Sequence, residues 1–110
     1  MTVVEVRAIV RLQTGDHLAL VNDHKISLKE ALIAPQKITV IVRDVKKGKP
    51  IKDKEEEVWL VGRENAGDGY RIVMREKDSQ FGLASPGYAQ DRHLILTGWY
   101  GSLKSAFLSM

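Results

Sequence analysis

Val3-Val4-Glu5-Val6-Arg7-Ala8-Ile9-Val10-Arg11-Leu12 sets Val4, Val6, Ala8, Val10 and Leu12 on one side of an extended chain and Glu5, Arg7 and Arg11 on the other. Strict alternation of this kind predicts a half-buried strand. Thr14-Gly15-Asp16 then turns the chain, and His17 to Val21 reads as a second short strand. Residues 3–21 are therefore expected to form a β-hairpin, closed off by Asn22-Asp23-His24.

Outward from that hairpin, Ser27-Leu28-Lys29-Glu30 has the spacing of a capping box. The serine hydroxyl accepts from the Glu30 amide, and the Glu30 carboxylate reaches back to the Ser27 amide. A turn or two of helix to Ile33 should follow, stopped by Pro35, which disfavours helix at the residue before it. Lys37 to Val45 is β-branched and reads as a third strand. Lys46 to Glu56 carries charge, a glycine and a proline but little to bury, so it reads as a mobile loop. Further strands are expected over Glu57–Arg63, Tyr70–Glu76, Gln80–Ser85 and His93–Thr97, with turns at Asn65–Gly69, Lys77–Ser79 and Ser85–Gly87. Ser102 is placed to cap a terminal helix, in which Leu103, Ala106, Phe107 and Met110 follow the i, i+3, i+4, i+7 spacing of one buried stripe.

The order β-β-α-β-β-β-β-β-α predicts an α+β fold. The expectation is a curved, mostly antiparallel, meandering sheet of about six or seven strands, with two short helices, the second at the C-terminus. Several strands are apolar on both faces: Ile9 lies opposite Val10, Ile41 opposite Val40 and Val42, and Trp59 and Val61 opposite Val58 and Leu60. Two short helices cannot cover both faces of such a sheet. Either it curls into a barrel-like core, or a second copy covers the remaining face.

A chain of 110 residues, 44% hydrophobic and 28% charged, fits one globular domain spanning residues 1–110. There is no cysteine, which excludes disulfides, thiolate metal sites and a cysteine nucleophile. Charges at Glu5 and Arg7 interrupt any signal-like apolar run, and no stretch approaches the roughly 18 apolar residues of a membrane span. A cytoplasmic protein with no membrane association is expected. The net charge is +3 and the pI about 9.3. Residues 46–57 hold Lys46, Lys47, Lys49, Lys52 and Lys54 against Asp53, Glu55, Glu56 and Glu57, so the basic balance is scattered and forms no stripe for nucleic acid.

Chemistry-bearing residues are few. Asp16-His17 and Asp23-His24 look like a repeated acid–imidazole pair, but a strand between them would hold the histidines roughly 20 Å apart, too far to share a metal ion. They read as turn residues, and the sequence implies neither a metal nor a cofactor. Asp91-Arg92-His93, with Tyr88 just before and Arg71 and Arg75 in the meander, is the most reactive-looking cluster. A histidine for proton transfer, an arginine against phosphate and a tyrosine donor would suffice for metal-independent RNA cleavage. The plainer reading is a polar loop entering a strand. Gly98-Trp99-Tyr100-Gly101 sets two aromatics between glycines at the entry to the last helix, where they either pack in the core or anchor a partner. Trp59 is the other aromatic candidate for such a contact. No phosphate-binding loop and no Gly-x-Ser-x-Gly frame is present.

The sequence does not determine an activity. Its best reading is a small, non-enzymatic binding or accessory module acting as a homo-oligomer, meeting a protein or small-molecule partner through Trp99, Tyr100 and Trp59. The alternatives are a basic nucleic-acid-binding module, or a metal-independent ribonuclease-like enzyme using His93.

Overall fold

A computed structural model describes residues 1–43, 45–46, 49–50, 54–65, 69–86 and 93–110. It is an α+β fold, and its first element departs from the sequence expectation. Residues 3–12 do not form a strand, and residues 3–21 do not form a hairpin. Val3–Thr14 is an α-helix, α1. Its start is a capping box: Thr2 Oγ1 accepts from the Glu5 amide at 3.2 Å, and Glu5 Oε1 accepts from the Thr2 amide at 2.9 Å. Two of the orphan donors at the helix start are thereby satisfied. At the other end Gly15, at φ 48°, takes a left-handed backbone and returns its N–H to the Arg11 carbonyl. Val6, Val10 and Thr14 face inward. Turns follow α1, and the expected second strand is reduced to one bridge between Val21 and Ser27.

Asn22 ties this connection to the body. Its Oδ1 accepts from the amides of His24 at 3.0 Å and Ile26 at 3.3 Å, and its Nδ2 donates to the Phe107 carbonyl at 3.4 Å. Ser27 then caps α2, Leu28–Ala31, as its spacing predicts, although Glu30 accepts from the Ser27 hydroxyl (2.8 Å) rather than from its amide. The helix ends two residues short of Ile33, and the chain goes straight into β1, Leu32–Val42.

β1, β4 (Lys54–Arg63), β5 (Arg71–Met74), β6 (Phe81–Ser85) and β7 (Leu94–Gly101) close a barrel in the order β1-β4-β5-β6-β7. Each successive pair is antiparallel. With five strands in a meander, the first and last run the same way, so the closing pair must be parallel. Val40 and Ile41 of β1 meet Leu94 and Ile95 of β7 in that sense. The barrel thus holds five strands, not six or seven. β1 ends at Val42, and a separate two-stranded ribbon, β2 (Val45–Lys46) with β3 (Lys49–Pro50), takes the last residue of the expected third strand and part of the segment expected to be a loop, while β4 takes up Lys54 to Glu56. The rest of that expectation, at 47–48 and 51–53, falls outside the described residues, as does most of the turn at 65–69. Gly98 to Gly101 belong to β7 rather than to the helix entry.

The two apolar faces have separate destinations. Val40, Val58, Val73 and Ala84, with Ile38, Leu60, Leu94, Leu96 and Trp99, come from all five strands and line the inside of the barrel. Trp59, Val61, Ile72, Met74, Phe81 and Leu83 face the other way and are covered by Val6 and Val10 of α1, Leu28 and Ala31 of α2, and Leu103, Ala106 and Phe107 of α3 (Leu103–Leu108), with Met110. Closure accounts for one face, and three helices, not two, cover the other. Ser102 caps α3, its Oγ accepting from the Ser105 amide at 3.1 Å, and the stripe expected at the C-terminus is buried throughout. Among the described residues no helix is long and apolar enough to cross a membrane.

Candidate functional site

α1 buries one side and leaves the other uncovered. Val4 is 74% exposed and Leu12 84% exposed, with Ala8 exposed between them. These three stand at four-residue spacing and form one ridge of the helix; Arg7 and Arg11 form the ridge beside it. The inward ridge, Val6–Val10–Thr14, is fixed in the core, so the outward face is presented rigidly.

Beside α1 the start of β1 forms a wall. Leu32 pairs with Gly62 and Gln36 with Leu60, so four residue steps on β1 match two on β4. Two extra residues are forced out of the ladder there. The bulge suits Pro35, which has no amide to donate to a ladder. Ile33, Ala34 and Pro35, with Leu32, then face Arg7, Val10 and Arg11 across a depression of about 330 Å³. A second, open depression of about 500 Å³ runs along Val4, Arg7, Ala8, Arg11 and Leu12. The two share both arginines, so together they make one apolar groove carrying two guanidinium groups.

Among the described residues no acid pairs with either of those two charges. Glu5, on the same helix, is engaged by the Thr2 amide. The described ion pairs are Met1 with Glu76, His24 with Glu64, Lys37 with Glu57, Arg75 with Asp78, and His93 with Glu55; none involves Arg7 or Arg11.

Among the described residues, those singled out from the sequence are dispersed. His93 precedes β7, its Nε2 3.9 Å from Glu55 Oε1. Tyr88, Asp91 and Arg92 lie outside the described residues. Arg75 holds Asp78 through two hydrogen bonds, Nε to Oδ1 at 3.1 Å and Nη2 to Oδ2 at 2.7 Å. That pairing foremost raises the guanidinium pKa and lowers the carboxyl pKa from their ordinary values. Arg75 also stacks on Trp99, 4.6 Å from its ring centroid. Trp99 is six residues along from His93, roughly 20 Å of extended chain, so Arg75 and His93 are not brought together. Trp59 is 5% exposed, packed under the helices with Lys37 over its ring at 5.6 Å. Trp99 is half-buried at the barrel lining, and Tyr100 is exposed on the opposite face of β7. His17 sits in the turns after α1, whereas His24 pairs through Nδ1 with Glu64, forty positions away, and stacks on Tyr70 at 6.2 Å. Among the described residues no group of three or more histidines and acids is placed to hold a metal ion.

A strand over residues 3–12 would turn Val4, Ala8 and Leu12 inward with Val6 and Val10; the helix turns them outward. The signal that would have exposed it is Thr2-x-x-Glu5, the same box spacing that marks α2. Comparison with protein-family models, with curated proteins and with solved structures finds no match.

Proposed function

We propose that this chain is a non-enzymatic binding module that docks a segment of another protein in the groove between α1 and the β1 bulge. The observation that carries the reading is the near-complete exposure of Val4 and Leu12 on a helix whose other side is locked in the core. Burying a Val or Leu side chain contributes about 1.5–3 kcal/mol. Small proteins rarely forgo that over a contiguous patch unless something else covers it. Catalysis has less support, because among the described residues the polar groups that could transfer protons are scattered.

A second copy of the chain fits the groove less well than a different protein. In a two-fold antiparallel pairing of α1 with itself, the Arg7–Arg11 ridge of one copy faces the same ridge of the other. Four guanidinium groups would then crowd one interface with no acid between them.

The test is a photo-crosslinking residue at position 12 in cells, compared with one at Lys54, at the far end of the β1–β4 pair. The expected result is a protein joined at position 12 and not at 54. The same protein, purified, should then lose binding to a Leu12→Asp variant whose stability is unchanged within about 0.5 kcal/mol. Equal cross-linking at both positions, or cross-linking of the chain only to itself, overturns the proposal; the second outcome assigns the groove to a homodimer.

A further inference from the structure

Building on the docking reading of α1, we infer that the segment it receives is an acidic amphipathic helix. The shape argument rests on spacing. Both ridges of the face, Val4–Ala8–Leu12 and Arg7–Arg11, repeat every four residues, the spacing that meshes with the grooves of another helix. Ala8, the smallest side chain of the five, sits mid-face and lets a helix axis come close. The wall at Ile33–Pro35 limits the groove on one side and holds an occupant along α1. An occupant of about three turns matches the length of the 12-residue α1.

Charge decides the composition of that helix. A neutral apolar helix laid over this face would remove Arg7 and Arg11 from water without a partner, and a buried unpaired charge is strongly unfavourable. Carboxylates at four-residue spacing on the incoming helix would meet the two guanidiniums in pairs, each a charge-assisted and often bidentate contact. Its own Leu- or Ile-sized residues would fill the depression beside Val4 and Leu12. A nucleic-acid strand offers the arginines phosphate but gives Val4, Ala8 and Leu12 nothing to pack on. An anionic membrane is flat, and this surface is concave between α1 and the bulge.

The experiment measures binding of labelled peptides of about 16 residues to the intact chain by fluorescence anisotropy, at about 50 and about 300 mM salt. One peptide is an amphipathic helix with glutamates flanking a leucine stripe. The second replaces each glutamate with lysine. The third has the composition of the first in shuffled order. Phosphatidylserine-containing vesicles and a single-stranded RNA oligonucleotide complete the set. The acidic amphipathic peptide should bind at least about tenfold tighter than the other two peptides, and weaken at high salt. Arg7→Glu with Arg11→Glu should reverse the preference toward the lysine peptide. Leu12→Asp should weaken the acidic peptide by about tenfold or more, with helix content unchanged by circular dichroism. Equal binding of the shuffled or lysine peptide, or stronger binding of vesicles or RNA, overturns the inference; these wild-type comparisons stand even if a variant fails to fold. A partner cross-linked at position 12 that presents no acidic helix defeats this inference and leaves the docking reading intact. Loss of the position-12 cross-link removes both.

Discussion

Alanine substitution at two glycines of one ladder should change stability in opposite directions. Gly82 lies in β6 opposite Trp99 of β7, and Gly98 lies in β7 opposite Leu83 of β6. A Cβ on Gly82 would stand 2.5 Å from the Gly98 carbonyl oxygen and 2.7 Å from Trp99 Cε3. The first contact is backbone, so no rotamer change relieves it. The second is a ring pinned from above by Arg75. The strands must separate, and overpacking of this kind costs about 1–3 kcal/mol. A Cβ on Gly98 would meet nothing nearer than the Tyr100 hydroxyl at 3.7 Å, ordinary contact. There the smaller conformational freedom of the unfolded chain should dominate, stabilising by about 0.4–1 kcal/mol. Urea unfolding followed by tryptophan fluorescence measures both, since Trp99 touches the first site directly. The slope with urea should stay constant while the midpoint falls for Gly82→Ala and holds or rises for Gly98→Ala. Equal losses at the two positions, or none at Gly82, would refute the close approach of Trp99 across Gly82.

Two further outcomes follow from burial and charge. Phe107→Ala should cost about 3–5 kcal/mol, because Phe107 is fully buried. Its neighbour Leu108, 41% exposed, should cost well under that as Leu108→Ala, and equal small losses in chemical unfolding would mean that α3 is not packed as described. The Arg75 hydrogen bonds hold the Asp78 carboxyl below its ordinary range in the folded chain. A depressed folded value means that the contribution is fully present above the unfolded aspartate pKa, near 3.9, and is lost as pH falls through the folded value. Asp78→Asn should therefore be less stable than the parent at about pH 6, with the difference closing below about pH 4; a difference independent of pH would rule out the ionised pair as its source.

What could be read in the sequence was local. Ser27 and Ser102 announce their helices because a capping oxygen and the amide that donates to it lie three residues apart. The Leu103–Ala106–Phe107 stripe is legible for the same reason. The strand expectations at 57–63, 70–76 and 80–85 overlap β4, β5 and β6, which are short apolar runs bounded by turn residues. The first element was misplaced because even-numbered apolar positions satisfy two periods at once. Val6, Val10 and Thr14 recur every four residues, as a helix face requires, and because four is even, Val6 and Val10 also fall on one face of an alternating strand. β-Branched valines then favour the strand on propensity. The outcome is decided by the Thr2–Glu5 box and by the surface that α3 and the outer barrel face offer to Val6 and Val10.

The groove was hidden for a deeper reason. Its floor and its wall lie about twenty residues apart in sequence, and they meet only because the barrel closes and β1 slips two residues against β4 at Pro35. Neither half looks like a site by itself: Ile33-Ala34-Pro35 reads as a helix stop, and Arg7 and Arg11 as the wet side of a strand. Apolarity in the chain marks residues that something must cover; it does not say whether the covering surface belongs to the same chain. In this fold the inner barrel residues cover one another and the three helices cover the outer sheet face, while Val4 and Leu12 stay exposed beside two arginines that pair with no acid among the described residues. An apolar surface left over once the core is covered is where an external partner has the most to gain, and its residue types state what that partner must bring: carboxylates for Arg7 and Arg11, and apolar side chains at four-residue spacing for the Val4–Ala8–Leu12 ridge beside them.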